Sequence, residues 1–314
     1  MNSKGLAQDA RIIVFTRFPL PGRAKTRLIP SLGADGAAGL QRRMTEYTVA
    51  QILRTGMQME IRFTGAAESR MRKWLGPEGD YTPQGEGDLG ERMKRAFEDA
   101  FENGAQKVVV VGCDCPDNRS SNILTAFRKL EETSCVIGPA ADGGYYLIGL
   151  NAPRPDLFRD IDWGTKAVFR QTAAKLDKYA MLPVLNDVDE AQDIPPGISV
   201  IIPALNEESR VAATVESVLE GFNTEAIVVD GGSSDQTGET ARKAGAAVYT
   251  ADPGRALQMN FGARQATGDI LLFLHADSAL PPEWDCHVRE IIKQPGTVLG
   301  HFGFMISGSF PGRR

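Results

Sequence analysis

The stretch Val108-Val109-Val110-Val111-Gly112-Cys113-Asp114-Cys115-Pro116-Asp117 is an apolar run that breaks into an aspartate. A run of this kind predicts a strand buried on both faces, as in a parallel sheet flanked by helices. The same ending recurs in Ile270-Leu271-Leu272-Phe273-Leu274-His275-Ala276-Asp277. Open α/β sheets bind ligands just past the carboxyl ends of their strands. A carboxylate fixed there can hold a hard divalent cation against phosphates. Finding the pattern twice points to two related nucleotide-handling domains.

The 314 residues leave room for two domains, each with its own core. Residues 1–195 carry 26 Lys+Arg against 26 Asp+Glu, and residues 196–314 carry 9 against 14, giving the net charge of −5. That balance argues against a nucleic-acid partner, which calls for a basic face or stripe. One local exception is Ala10 to Ala34, where Arg11, Arg17, Arg23, Lys25 and Arg27 stand without an acid. Cys113, Cys115, Cys135 and Cys286 form no Cys-x-x-Cys pair and no disulfide framework. Met1-Asn2-Ser3-Lys4-Gly5 lacks an apolar signal core, and no segment approaches the roughly 20 apolar residues of a membrane span. A reducing cytoplasm is the expected setting.

Along the chain, strands are expected at Arg11–Phe15, Met59–Thr64, Val108–Val111 and Cys135–Gly138. Helices are expected at Gly36–Arg54, Glu68–Leu75, Leu89–Phe101 and Ser121–Glu132. Such alternation predicts parallel β-α-β units. Near Asn186–Gly197, Asp187, Asp189, Glu190 and Asp193 lead into Pro195-Pro196-Gly197, an acidic, proline-broken segment that reads as the boundary between domains 1–195 and 196–314. The alternation then restarts, with strands at Ile198–Ile202, Ala226–Val229 and Ala246–Thr250 and helices at Glu208–Leu219, Ser234–Ala244 and Gly254–Ala266.

Between the first strand and helix lies Arg17-Phe-Pro-Leu-Pro-Gly22-Arg-Ala-Lys25-Thr26-Arg27-Leu28. It is not a Walker A loop, but several cations beside glycine and proline suit a diphosphate, because arginine matches its oxygens bidentately. Gly85-Glu86-Gly87-Asp88-Leu89-Gly90 matches the dinucleotide fingerprint by letter only. Pro83 interrupts the preceding strand and two acids would face the pyrophosphate, so a tight turn that positions Gln84 is the better reading. With Gly87-Asp88-Leu89-Gly90-Glu91-Arg92-Met93, Asp114-Cys115-Pro116-Asp117 and Gly138-Pro139-Ala140-Ala141-Asp142-Gly143-Gly144-Tyr145-Tyr146, these motifs resemble the bacterial glycosyltransferase-like proteins related to 2-phospholactate guanylyltransferase. The resemblance spans about residues 11–194. It implies Arg17, Lys25 and Arg27 at phosphates, Gln84 to Gly87 near the base, and Asp114 on the metal. Asp142, Gly143 and Gly144 would face the transferred group or a second metal, and Asp142 is the candidate acceptor base. Trp163-Gly164-Thr165 either covers the pocket or belongs to the core.

The second half carries Ile201-Ile202-Pro203-Ala204-Leu205-Asn206-Glu207-Glu208, then Val228-Val229-Asp230-Gly231-Gly232-Ser233-Ser234-Asp235, then Gly254-Arg255-Ala256-Leu257-Gln258. Asp230 at a strand end can accept a hydrogen bond from a nucleobase, Gly231 lets a ligand approach, and Ser234 or Asp235 can cap the next helix. With His275-Ala276-Asp277, this order resembles glycosyltransferase family 2. The resemblance implies Pro203, Asn206, Glu207, Asp230 and Gly231 at the nucleotide, Arg255 near the diphosphate, and Asp277 on Mg²⁺ or Mn²⁺. His275 stands where the family has an acid, and either ligates as a neutral imidazole or packs under the strand. The family also needs an acceptor half with a carboxylate base. Only 37 residues (314 − 277) follow Asp277, and Glu283, Asp285 and Glu290 fall on one predicted helix, so the second domain is expected to be incomplete.

The expected fold is thus two tandem three-layer α/β domains of nucleotide-diphospho-sugar transferase type (GT-A-like, Rossmann-like). The expected activity is metal-dependent transfer from a nucleotide sugar to a small-molecule, glycan or lipid acceptor. The alternatives are nucleotidylyl transfer from a nucleoside triphosphate through the first domain, or a non-catalytic nucleotide-binding module.

Overall fold

The structure, a computed structural model, describes residues 9–303. The Met1–Gly5 segment and the residues after 303 lie outside that range. The chain divides into two compact units, Met1–Ile194 and Pro195–Arg314.

The first unit contains β1 (Ala10–Arg17), α1 (Ile29–Leu53), β2 (Gln58–Thr64), α2 (Glu68–Leu75), β3 (Asp80–Pro83), α3 (Leu89–Glu102), β4 (Lys107–Gly112), α4 (Ser120–Lys129), β5 (Cys135–Pro139), β6 (Tyr145–Leu150), α5 (Val168–Ala173) and β7 (Ala180–Met181). Its sheet runs β3-β2-β1-β4-β6-β5-β7. The valine run forms β4 because both of its faces are covered. Val109 and Val111 join Ile12 and Val14 in one core with Phe127, while Val108 and Val110 join Ile13 in the opposite core with Phe97. Each fully buried valine contributes about 1.5–3 kcal/mol by leaving water.

The expected parallel β-α-β pairing is seen among β1 to β4, and one strand departs from it. β6 runs antiparallel to both β4 and β5. Ala140–Gly144 forms a tight turn, closed by Gly143 N–H to Ala140 O at 3.1 Å, and this turns the chain back without a crossover helix.

The second unit contains β8 (Ile198–Ala204), α6 (Val211–Leu219), β9 (Thr224–Asp230), α7 (Thr237–Lys243), β10 (Ala247–Thr250), α8 (Arg255–Gln265), β11 (Ile270–Phe273) and α9 (Trp284–Ile292). Its parallel sheet runs β10-β9-β8-β11. Val200, Ile202 and Val228 face a core with Val215 and Trp284, and Ile201, Ile227 and Val229 face the other side with Phe261.

Strand order reverses between β1 and β4 in the first sheet, and between β8 and β11 in the second. Such reversals open a crevice beyond the strand ends. Asp114 follows β4 and Asp277 follows β11, so each aspartate stands beside its sheet's crevice.

Candidate functional site

In the first unit a cleft of about 600 Å³ opens beyond the ends of β1 and β4. Arg17, Arg23, Lys25, Arg27, Gln84, Arg92, Asp114 and Asp189 are among its lining residues. Arg17 ends β1 and donates through Nη1 to the Arg23 carbonyl at 3.2 Å. Lys25 sits at φ 46, ψ 49, a left-handed backbone uncommon for a long side chain.

The Lys25 ammonium explains why that backbone is held. Nζ lies 2.8 Å from Asp114 Oδ1 and 3.3 Å from Asp189 Oδ1, and donates to the Val188 carbonyl at 2.7 Å. An ammonium has three donors, and these three acceptors use all of them. Burial alone would pull this group down, but Asp114 and then Asp189 outweigh it and hold it above its ordinary value of 10.5. In this structure Lys25 is thus engaged within the protein, on two acids and a carbonyl. Asp114, expected as the metal ligand, meets this ammonium through Oδ1. Arg17, Arg23 and Arg27 are all exposed at the cleft mouth, with Arg27 Nη1 2.6 Å from Asp189 Oδ2.

Asp142, Asp187 and Asp189 bring carboxylate oxygens within 4.8 Å of one another, the one such group of three among the described residues. Burial, and next the charge of Asp142, push the Asp187 carboxyl above its ordinary range. Clustered carboxylate oxygens suit a hard cation such as Mg²⁺ or Mn²⁺, which would relieve that crowding. Asp189 joins this group to the cleft. Sequence reasoning missed Asp187 and Asp189 by assigning them to a domain boundary. The chain there folds back onto the sheet instead, through Ala141 N–H to Leu185 O and Val188 N–H to Asp114 O, both 2.9 Å. The Asp187-x-Asp189 spacing was the available signal.

Asp142 lies at the hairpin tip, where Oδ1 accepts from Gly144 N–H at 2.8 Å. Gly143 has φ 94, and a Cβ there would stand 2.4 Å from the Lys166 carbonyl oxygen, so glycine is required by a backbone contact. Gln84 is buried, its Nε2 donating to the carbonyls of Thr16 (3.1 Å) and Arg62 (3.0 Å). Gly87, at φ 97, leads into α3, whose Asp88 and Glu91 cap each other's backbone N–H groups reciprocally. Trp163 is half-buried, packing edge-on against Tyr145 and lying over Gly90.

In the second unit several expected ligand groups bond to protein. Asn206, at φ 55, accepts at Oδ1 from Ser234 N–H (2.9 Å) and the Ser234 hydroxyl (3.2 Å). Asp230 Oδ1 accepts from Gly232 N–H, Ser233 N–H and the Ser233 hydroxyl at 3.1, 2.8 and 2.7 Å, leaving Oδ2 for a further donor. Gly231 lets the Gln258 amide approach, since a Cβ would lie 3.1 Å from its Nε2. Pro203 pairs with Val229 past the last β8–β11 pair, where β8 has only β9 beside it. Arg255 opens α8 and is exposed. Arg210 Nη1 bridges Glu207 (3.8 Å) and Asp277 (3.9 Å). His275 is exposed, so it does not pack under the strand. Asp285 is fully buried against Arg289 at 2.8 Å, which removes it as a base.

These sites can be set beside known proteins. A solved protein of Desulfovibrio desulfuricans G20, named a "putative nucleotide-diphospho-sugar transferase", is 36% identical over 60% of this chain and 85% of its own, with a TM-score of 0.58. That share of the chain is more than the second unit could supply alone. The chain belongs to the nucleotide-diphospho-sugar transferases. Residues 48–165 match the family described as "Uncharacterized protein conserved in bacteria (DUF2064)" and residues 199–314 match "Glycosyl transferase family 2". The 4,4'-diaponeurosporenoate glycosyltransferase of Staphylococcus haemolyticus is 41% identical over 117 residues, covering 34% of this chain and 30% of its own. A glucosyl-3-phosphoglycerate synthase of Mycobacterium tuberculosis, solved with Mn²⁺, UDP and phosphoglyceric acid, is 29% identical over 31% of this chain and 38% of its own (TM-score 0.27). The chain thus spans about a third of the length of the curated relatives it matches. Among the described residues no helix is long and apolar enough to cross a membrane.

Proposed function

We propose that this transferase-family chain moves a glycosyl group from a nucleotide sugar to a small-molecule, glycan or lipid acceptor, with Mg²⁺ or Mn²⁺ beside the donor diphosphate. One observation carries the reading. A cleft rimmed by Arg17, Arg23 and Arg27 at a sheet's crevice meets three converging carboxylates through Asp189. Asp142, Asp187 and Asp189 would hold the cation, whose charge neutralises the departing diphosphate. The arginines would grip the phosphate oxygens bidentately. Asp142, exposed and with Oδ1 held by its turn, would face the acceptor from this cation site. In the second unit, Asp230 Oδ2, Glu207 and Arg255 would meet the nucleotide, with Asp277 as the acid facing the cation. Four free cysteines suit a cytoplasmic setting.

The test incubates the full chain with UDP- and GDP-sugars, with and without Mn²⁺, and follows release of nucleoside diphosphate. Metal-dependent release that falls in Asp142→Asn and Asp189→Asn supports glycosyl transfer. Pyrophosphate release from a nucleoside triphosphate with a phosphorylated acid would favour the guanylyltransferase-like alternative. Nucleotide binding without turnover over many acceptors would favour a binding module. Absence of any metal-dependent nucleotide binding overturns all three.

A further inference from the structure

We infer that Arg92, in the first turn of α3, is the residue inside the cleft that binds an anionic phosphoryl group of the ligand. This deepens the transferase reading above and rests on it. Arg92 lines the cleft, and its Nε is buried without a hydrogen-bond partner. Its guanidinium contact is a long one, Nη1 to Gln84 Oε1 at 3.5 Å. The Gln84 amide cannot swing closer, because its Nε2 is held by two carbonyls at the sheet end, which also fixes Oε1 as the end turned toward Arg92. Among the described residues no carboxylate forms an ion pair with Arg92.

Of the other cations of this cleft, Arg23 is exposed at the mouth and the rest have partners. Lys25 has given its three donors to Asp114, Asp189 and Val188, Arg27 pairs with Asp189, and Arg17 binds the Arg23 carbonyl. The start of α3, a natural anion site, is closed by its own Asp88 and Glu91. A buried donor on a charged group is costly to leave unpaired. A guanidinium offers a rigid fork that fits a phosphoryl group, and the Nε edge of Arg92 is the unfilled half of such a fork. The phosphoryl group belongs either to the donor's diphosphate or to a phosphorylated acceptor.

Binding of UDP, GDP, inorganic pyrophosphate and phosphoglyceric acid is measured by calorimetry on the full chain, for the wild type, Arg92→Gln and Arg92→Lys. The inference expects Arg92→Gln to weaken the anion it contacts at least tenfold, with Arg92→Lys recovering only part, because an ammonium lacks the fork. Loss confined to UDP, GDP and pyrophosphate assigns the donor's diphosphate; loss confined to phosphoglyceric acid assigns the acceptor. On the wild type, phenylglyoxal labelling mapped by mass spectrometry supplies a readout independent of the variants' folding, with Arg92 expected to be shielded by the bound anion. Unchanged affinities in Arg92→Gln, labelling unaffected by saturating anion, or no anion binding by the wild type would each overturn the assignment. Binding of pyrophosphate through Arg92 with no nucleotide binding would leave it standing and remove the transferase reading instead.

Discussion

The Lys25 ammonium lies 2.8 Å from Asp114 Oδ1, and its side chain is 7% exposed. A positive charge supplied by the chain itself thus stands beside the aspartate that sequence reasoning expected at a metal ion. The β1–α1 loop, the turn after β4 and the segment after β7 meet at this one nitrogen.

Replacing Lys25 with Met leaves Asp114, Asp189 and the Val188 carbonyl without their shared donor. Because both acids are partly open to water, the expected loss is modest, about 1–3 kcal/mol. This should lower the unfolding temperature of the first unit by several degrees. Lys25→Arg should not restore it, since a planar fork cannot meet three acceptors that converge on one point. Equal melting curves for wild type and Lys25→Met would refute the clamp.

The same contact sets a pH dependence. The folded Lys25 is held above its ordinary value of 10.5, so the folded state binds the proton more tightly than the unfolded chain. Its stabilisation is complete below pH 10.5 and is lost as pH rises through the folded value. Denaturant titrations at pH 8 and at progressively alkaline pH should show this decline in the wild type, and a shallower one in Lys25→Met.

Asp187 behaves in the opposite sense to a salt-bridged carboxylate. Its folded value is raised by burial and then by Asp142, so the folded state gains stability as pH falls through that value and carries a penalty at neutral pH. Asp187→Asn should therefore raise the melting temperature without metal while abolishing the stabilisation given by Mn²⁺. For the wild type that stabilisation should reach about 2.7 kcal/mol at a metal concentration a hundred times the dissociation constant. A melting temperature for Asp187→Asn that still climbs with Mn²⁺ would exclude the three-acid group as the cation site.

Gly143→Ala should cost about 1–3 kcal/mol, through both its φ of 94 and the carbonyl of Lys166 that a Cβ would strike at 2.4 Å. Asp142 shares that turn, so Mn²⁺ affinity should fall as well. Retained affinity in a folded Gly143→Ala protein would show that the hairpin tip does not set the position of the acid.

In the second unit, Gln258 donates through Nε2 to the carbonyls of Ala204 (2.9 Å) and Val229 (2.8 Å), tying α8 to the ends of β8 and β9. Gln258→Leu keeps the bulk but leaves buried acceptors short of a partner, at a cost of about 1–3 kcal/mol. Hydrogen exchange should quicken in 254–265 first. Uniform protection in the variant would argue against this role.

The double-faced apolar runs at Val108–Val111 and Ile198–Ile202 announced their strands because burial on both sides leaves a local mark. The β5–β6 hairpin left a weaker one. Tyr145–Leu150 starts at the end of a glycine-bearing motif, and its antiparallel pairing with β4 depends on residues far away in sequence. Arg17 and Arg27 of the cleft, with Asp114 and Asp142, could be singled out from local sequence, whereas Arg92 could not. The site was illegible where distant segments meet, since Asp189 lies 164 residues from Lys25 and its acidic, proline-broken surroundings look like a linker. Asn206 and Gln84 were recognisable as special but not in what they touch.

Because Asp88 and Glu91 cap each other across the first turn of α3, two of its main-chain amides are already taken and two acids stand where an incoming anion would approach. Discrimination in this cleft then falls chiefly to exchangeable side groups such as its arginines. Preference among ligands can drift by single amino-acid replacements while the scaffold stays as it is.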